Sequence, residues 1–166
     1  MNYKNIFIGI IVFVILIWVY RYLFTDSTKT NLLDGPSKAD THMVVPYTKL
    51  SGNPSSTDFT YSTWIYVNNW NTKLGKDKII LQRKSTGNKF SPQIKLDDYK
   101  NDLTITTSYS SGSGGTSGRS TISNQECKVN NIPLQKWIHI LITVNNRALD
   151  TYIDGKLVKT CIIDGP

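Results

Sequence analysis

The sequence predicts an all-β protein, an antiparallel sandwich carried behind a single membrane-spanning helix. Three observations lead there. One long apolar run opens the chain. From Phe59 onward, apolar and polar residues alternate with a period of two in a series of short segments. Between those segments lie Asn, Asp, Gly and Ser clusters, and no stretch there carries the periodicity of a soluble helix.

The apolar run, NIFIGIIVFVILIWVYRYLF, closes at Phe24. Ile6 to Tyr20 bears no charge. About twenty helical residues, rising about 1.5 Å each, cross a hydrocarbon layer of about 30 Å. Arg21 follows directly and can snorkel to the interface, while Trp18, Tyr20 and Tyr22 suit an aromatic belt. A cleaved signal peptide would want a shorter core and small residues at its end. Tyr20 to Phe24 are bulky, so an uncleaved anchor over residues 1–24 is expected. Lys4 on one side and Arg21 and Lys29, offset by Asp26, on the other leave its orientation open.

Residues 25–58 read as a polar linker with Gly35-Pro36, Pro46 and Gly52-Asn53-Pro54. Its one apolar patch, Met43-Val44-Val45, suggests an early strand. Extended, the linker would reach tens of ångströms.

The sandwich is expected over residues 59–166. FTYSTWIYV sets Phe59, Tyr61, Thr63, Ile65 and Val67 against Thr60, Ser62, Trp64 and Tyr66. Strands are further expected at KIILQRK, SPQIKLD and LTITTSY, the last two joined by a turn over Asp98 to Asp102, and then across residues 120–129. The Ser/Gly-rich stretch 110–120 reads as a surface loop, with no Lys-Ser/Thr to make a phosphate cradle. Trp137 to Asn145 alternates with both faces largely apolar, which predicts a central strand covered on both sides. Asn145-Asn146 suits a turn. Asp154-Gly155 closes a hairpin between residues 149–153 and 156–162, because a type I′ turn needs positive φ at both central residues. At least seven short strands with polar turns, and no soluble helix, imply an antiparallel sandwich.

The order of these segments resembles the concanavalin A-like lectin/glucanase superfamily, in particular its laminin-G-like and pentraxin-like branch. The family's opening strand is similar to Phe59-Thr60-Tyr61-Ser62-Thr63-Trp64-Ile65, and its Ile-Leu-x-Lys strand to Ile80-Leu81-Gln82-Arg83-Lys84. Its Leu-x-x-Trp-x-His strand and Tyr-hydrophobic-Asp-Gly turn are similar to Leu134 to His139 and Tyr152 to Gly155. The resemblance implies a jelly-roll sandwich of two antiparallel sheets. Family domains continue for several strands past the Asp-Gly hairpin. The expectation is therefore that the natural chain continues past Pro166, or that a neighbouring chain covers an open edge.

Little chemistry is expected. The glucanase branch uses paired carboxylates on one strand, and Glu126 is the single glutamate. The chain is not expected to be an enzyme or to need a cofactor. Asp97, Asp98, Asn101 and Asp102 offer oxygen ligands for calcium, but the same residues are ordinary turn formers. Asn68, Asn69 and Trp70 could form a glycan platform, against the plainer reading that Trp70 packs over the sandwich edge. His139 reads as structural, and no role can be argued for His42. Cys127 and Cys161 could bridge or stay free. No Asn-x-Ser/Thr acceptor with a permitted middle residue occurs, which leans against residence in a glycosylating lumen.

The net charge of +7 comes mostly from lysine. Solvated lysine faces explain most such excesses. A docking face for an acidic partner or anionic surface would centre on Lys73, Lys76, Lys78, Arg83 and Lys84. No helix-turn-helix, zinc spacing or arginine run points to nucleic acid.

The functional expectation is a single-pass membrane protein with the bilayer as one partner. Its sandwich docks on neighbouring structural proteins in a large assembly. The combination resembles minor structural proteins of large DNA viruses that carry an internal membrane beneath a capsid, which implies a virion membrane or capsid layer. The alternative is a lectin-like surface protein that binds glycans.

Overall fold

The computed structural model describes residues 3–24, 29–50, 58–85, 87, 89–112 and 121–165. The chain divides into two units, Met1–Pro54 and Ser55–Pro166.

The first unit holds α1, Tyr3–Phe24, 22 residues with none buried. At about 1.5 Å per residue it is about 33 Å long, enough to cross a bilayer. Residues 29–50 form bends and one 3-10 turn, Tyr47–Lys49. The early strand expected at Met43-Val44-Val45 is not there. An isolated apolar triplet has no ladder partner, and the extended strand conformation needs one. The linker residues 25–28 and 51–57 and most of the Ser/Gly-rich loop lie outside the described residues.

The second unit is all-β. Its strands are β1 (Phe59–Tyr66), β2 (Lys78–Ser85), β3 (Lys89–Leu96), β4 (Leu103–Ser111), β5 (Thr121–Val129), β6 (Trp137–Asn145), β7 (Ala148–Ile153) and β8 (Lys156–Ile162). They form two four-stranded sheets, β1-β6-β7-β8 and β2-β3-β4-β5, with every pair antiparallel. The chain lays down β1, crosses to build the whole second sheet as a meander, then returns to place β6 beside β1.

Alternation decides what faces inward. Ile138, Ile140, Ile142 and Val144 of β6 and Leu149 of β7 supply the core from the first sheet. Ile94, Leu96, Leu103, Ile105, Cys127 and Val129 meet them from the second, with Ile132 and Ile163 closing the ends. At Asp154-Gly155 both φ values are positive, 50° and 77°, as the type I′ turn requires.

One side of the sandwich is stitched shut. Cys127 of β5 and Cys161 of β8 form a disulfide across the two sheets, with Cα atoms 6.0 Å apart. Gln125 Nε2 donates to the Ile162 carbonyl at 2.6 Å, and the Asp164 amide donates back to Gln125 Oε1 at 3.0 Å. Beyond β8 the chain crosses toward the second sheet. Gly165 rests there against the Ser110 carbonyl so closely that any Cβ would collide with it. The other side, between β1 and β2, has no such closure among the described residues.

Candidate functional site

The two sheets differ in what their outer faces show. Across the second sheet the outward row Gln82, Gln93, Thr106 and Glu126 is polar, and Gln93 Nε2 donates to Gln82 Oε1 at 3.0 Å. A neighbouring row pairs Lys95 with Asp77 at 3.4 Å. Outward-facing Thr104 and Thr106 are nonetheless buried.

The outer face of the first sheet is aromatic. Tyr66 lies opposite Trp137 with ring centres 5.6 Å apart, and Trp64 opposite His139 at 5.0 Å. Trp64 is 61% exposed, Trp137 54% and Tyr66 45%. One row further along, Leu141, Tyr152 and Leu157 lie side by side across β6, β7 and β8. The expectation that β6 is covered on both faces is therefore corrected. Its inner residues are buried, and nothing described covers its outer ones. Period two assigned these aromatics to one face. It could not say whether that face met a second sheet or water.

His139 sits on this open face. Its Nε2 lies 2.7 Å from Ser62 Oγ. The hydrogen bonds of the Asp154 carboxylate go to groups other than the ring. Asp154 Oδ1 accepts the His139 backbone N–H at 2.9 Å and Oδ2 accepts Lys136 Nζ at 3.1 Å. These two donors, the backbone amide first, lower the Asp154 pKa. Among the described residues no third group is hydrogen-bonded to the imidazole beside this Ser-His contact, the arrangement that nucleophilic catalysis uses.

Asn68, Asn69 and Trp70 follow β1 and line a shallow cleft of about 530 Å³ with Val67, Leu134 and Gln135. The Gln135 amide donates to the Val67 carbonyl at 2.9 Å, which sets the cleft's far wall. Asn69 Oδ1 accepts the Asn71 amide at 2.9 Å. Trp70 is half-buried against the core. Lys78 Nζ stands 4.9 Å from its ring centre, a cation–π contact that takes one ring face. Its Nε1 is buried and finds no acceptor among the described residues.

The basic cluster splits. Lys73 and Lys76 are exposed on the β1–β2 connection, and Arg83 and Lys84 at the far half of β2. Six strand residues, about 20 Å, separate Lys78 from Lys84. Lys78 itself turns inward and donates to the Asp97 and Asp98 carbonyls at 3.2 and 2.9 Å. The five cations therefore do not form one patch.

In the loop 97–102 the acidic groups already hold donors. The Asp97 carboxylate accepts the amides of Tyr99 and Lys100 at 3.0 and 3.1 Å and Lys128 Nζ at 3.0 Å. The backbone amide of Tyr99, then Lys128 and Lys100, hold its carboxyl far below the usual range. Lys128 also bridges to Asp102 at 3.2 Å, and the two aspartates raise its own pKa. Asp102 Oδ1 accepts the Asn131 amide at 2.9 Å, while the Asn101 side chain donates to Asn131 Oδ1 at 2.7 Å. An ammonium group thus lies between the oxygens weighed above for calcium. Among the described residues no group of three or more His, Cys, Asp or Glu is placed to hold a metal.

Residues 37–165 match the profile of the laminin-G-like group described as the concanavalin A-like lectin/glucanases superfamily. The match reaches back well before β1, so it includes residues read above as linker. No curated protein and no solved structure matches the chain. With two antiparallel four-stranded sheets and a profile match over most of its length, the chain belongs to the concanavalin A-like lectin/glucanase superfamily.

Proposed function

We propose that the protein is a membrane-anchored, non-catalytic binding module whose sandwich docks on a neighbouring protein through the outer face of its first sheet. The observation behind this reading is the row of exposed rings Trp64, Tyr66 and Trp137 on a regular sheet, beside a second sheet with a polar outer face. Aromatic residues are enriched where proteins meet, because they bury much area while freezing few rotamers. The single glutamate, Glu126, stands exposed on the opposite outer face, with no carboxylate beside it in the row Gln82, Gln93, Thr106. That leaves the paired-carboxylate chemistry of the glucanases without its residues.

An apolar N-terminal helix of this length suits a signal anchor or a signal peptide. The bulky residues Tyr20 to Phe24 favour the anchor. Neither the sandwich nor the profile match speaks to a capsid layer, and the proposal stops at a neighbouring protein.

The test places a photo-crosslinking benzoylphenylalanine at position 64 or position 82 of the full chain in its native membrane. A discrete protein adduct from 64 and none from 82 is expected. Equal adducts from both positions sink the reading.

The cleft at Asn68 to Trp70 favours a second reading, glycan binding, because the buried Trp70 Nε1 is a donor without an acceptor. Glycan-array binding lost in Trp70→Ala supports it, and an array without signal removes it.

A further inference from the structure

The edges of the two sheets are defended unequally. β2 breaks register twice, between Ile79 and Leu81 and between Gln82 and Lys84, and carries the exposed charges Arg83 and Lys84. β8 breaks register opposite Thr151 and Tyr152 and carries Lys156 and Lys159. β5 is tied to β8 by the disulfide and the Gln125 hydrogen bonds. Bulges, charges and covers of this kind keep edge strands from pairing with other chains.

β1 has none of them. Its residues FTYSTWIY include no charge and no proline, and its register against β6 runs unbroken from Phe59 opposite Val144 to Tyr66 opposite Trp137. No second strand pairs with it among the described residues. The core is also thin at this edge. Phe59, Tyr61 and Ile65 are half-buried, whereas their β6 partners Val144, Ile142 and Ile138 are buried. A bare, flat edge above an uncovered strip of core is a site for an added strand.

We propose that the added strand is β1 of a second copy of this chain, so that the two first sheets join into one continuous sheet across a two-fold axis. The strand is self-complementary. A two-fold through Ser62 sets Phe59 opposite Ile65 and Tyr61 opposite Thr63 on the inner face, and Thr60 opposite Trp64 on the outer. A two-fold through Thr63 sets Tyr61 opposite Ile65 inside, and Thr60 opposite Tyr66 and Ser62 opposite Trp64 outside. In either register no ring meets a ring and no charges meet; the rings within the paired span meet a small hydroxyl residue or an aliphatic side chain, and in the first register Tyr66 falls opposite Asp58, just before the strand. The interface is isologous, so it closes at two copies, and the joined sheet ends at each copy's β8, the edge with the broken register. Pairing at the edge does not depend on what the aromatic face binds.

The experiment uses the full chain in detergent micelles, with mass read by native mass spectrometry. Ser62 is exposed, so Ser62→Lys is compatible with the fold and places like charges together at the axis. The wild type is expected as a dimer, with a dissociation constant raised about fivefold or more in Ser62→Lys. Ser62→Cys or Thr63→Cys, whichever lies on the axis, should form a disulfide between copies, since paired strands hold Cα atoms about 4.5–5.5 Å apart. Gln82→Cys on β2 should not. These cysteine variants decide the matter even if Ser62→Lys folds poorly. A monomeric wild type overturns the proposal. So does a dimer that crosslinks at neither 62 nor 63, which would mean association elsewhere, and so does a different protein found paired on this edge.

Discussion

Reducing Cys127–Cys161 should remove a large share of the sandwich's stability. The bridge has a sequence separation of 34 residues and joins edge strands of different sheets. In the chain-entropy account, opening a loop of this size frees the unfolded state by about 3.8 kcal/mol at 25 °C. The folded state loses little packing in comparison, because Cys127 is 1% exposed and its sulfur stays in the core. The assay is a urea titration of the full Trp18→Phe chain in micelles, with and without reductant at constant pH. The fluorescence of Trp64, Trp70 and Trp137 then reports the sandwich alone. With a denaturant slope of about 2 kcal/mol per molar, the midpoint should fall by about 2 M. The slope itself should rise, since the reduced unfolded chain exposes more surface. A midpoint shift below about 0.3 M would refute the entropic reasoning. Thiol titration that finds two free sulfhydryls in the unreduced chain would remove its premise.

Ile140 is fully buried at the centre of β6, so Ile140→Ala should cost about 2–5 kcal/mol by the same titration, whereas Trp64→Ser should cost less than about 0.5 kcal/mol. Similar losses for both would mean that the aromatic face is packed rather than open. Gly155 holds φ at 77°, so Gly155→Val should cost about 1–2 kcal/mol, and an unchanged midpoint would dispute the turn. Asp97 and Asp154 have depressed pKa values in the folded state, so the unfolded chain binds more protons in acid. Their stabilisation is complete above the ordinary carboxylate value of 3.8 and is lost as pH falls below it. Thermal melts across that window should show a steep acid slope that Asp97→Asn flattens. At the other end, Lys128 has a raised pKa, and its contribution is full below 10.5 and fades as pH climbs through its folded value.

The strands were legible because each rests on local alternation. Every strand expected from residues 59–162 is present, and the Asp-Gly hairpin follows from turn chemistry alone. The site was not legible, because it depends on contacts remote in sequence. Trp64 and His139 become neighbours only when β6 returns to β1, as the Ser62–His139 contact 77 residues apart shows. Residues on both faces of β6 are apolar, so its exposed side could not be told from its covered side without the second sheet. The cysteine pairing was open for the same reason: β5 and β8 meet edge to edge only after both sheets stack. The oxygen-rich loop at 97–102 left both a turn and a calcium reading open, because the cation that reaches it lies 31 residues along the chain from Asp97. Lys128, on β5, fills it.

The stitching also sets how the sandwich would bear load. A pull arriving through the N-terminal segment reaches β1 before any other strand, and β1 lies outside the loop that the disulfide closes. β6 and β7 lie inside that loop, so the chain between Cys127 and Cys161 cannot pay out beyond its covalent bridge. Tension therefore reaches β1, then β2, β3 and β4, all outside the loop, and is stopped only at Cys127. The bridge turns β6 and β7 into a segment that load passes by, carried from Cys127 to Cys161 through the sulfurs.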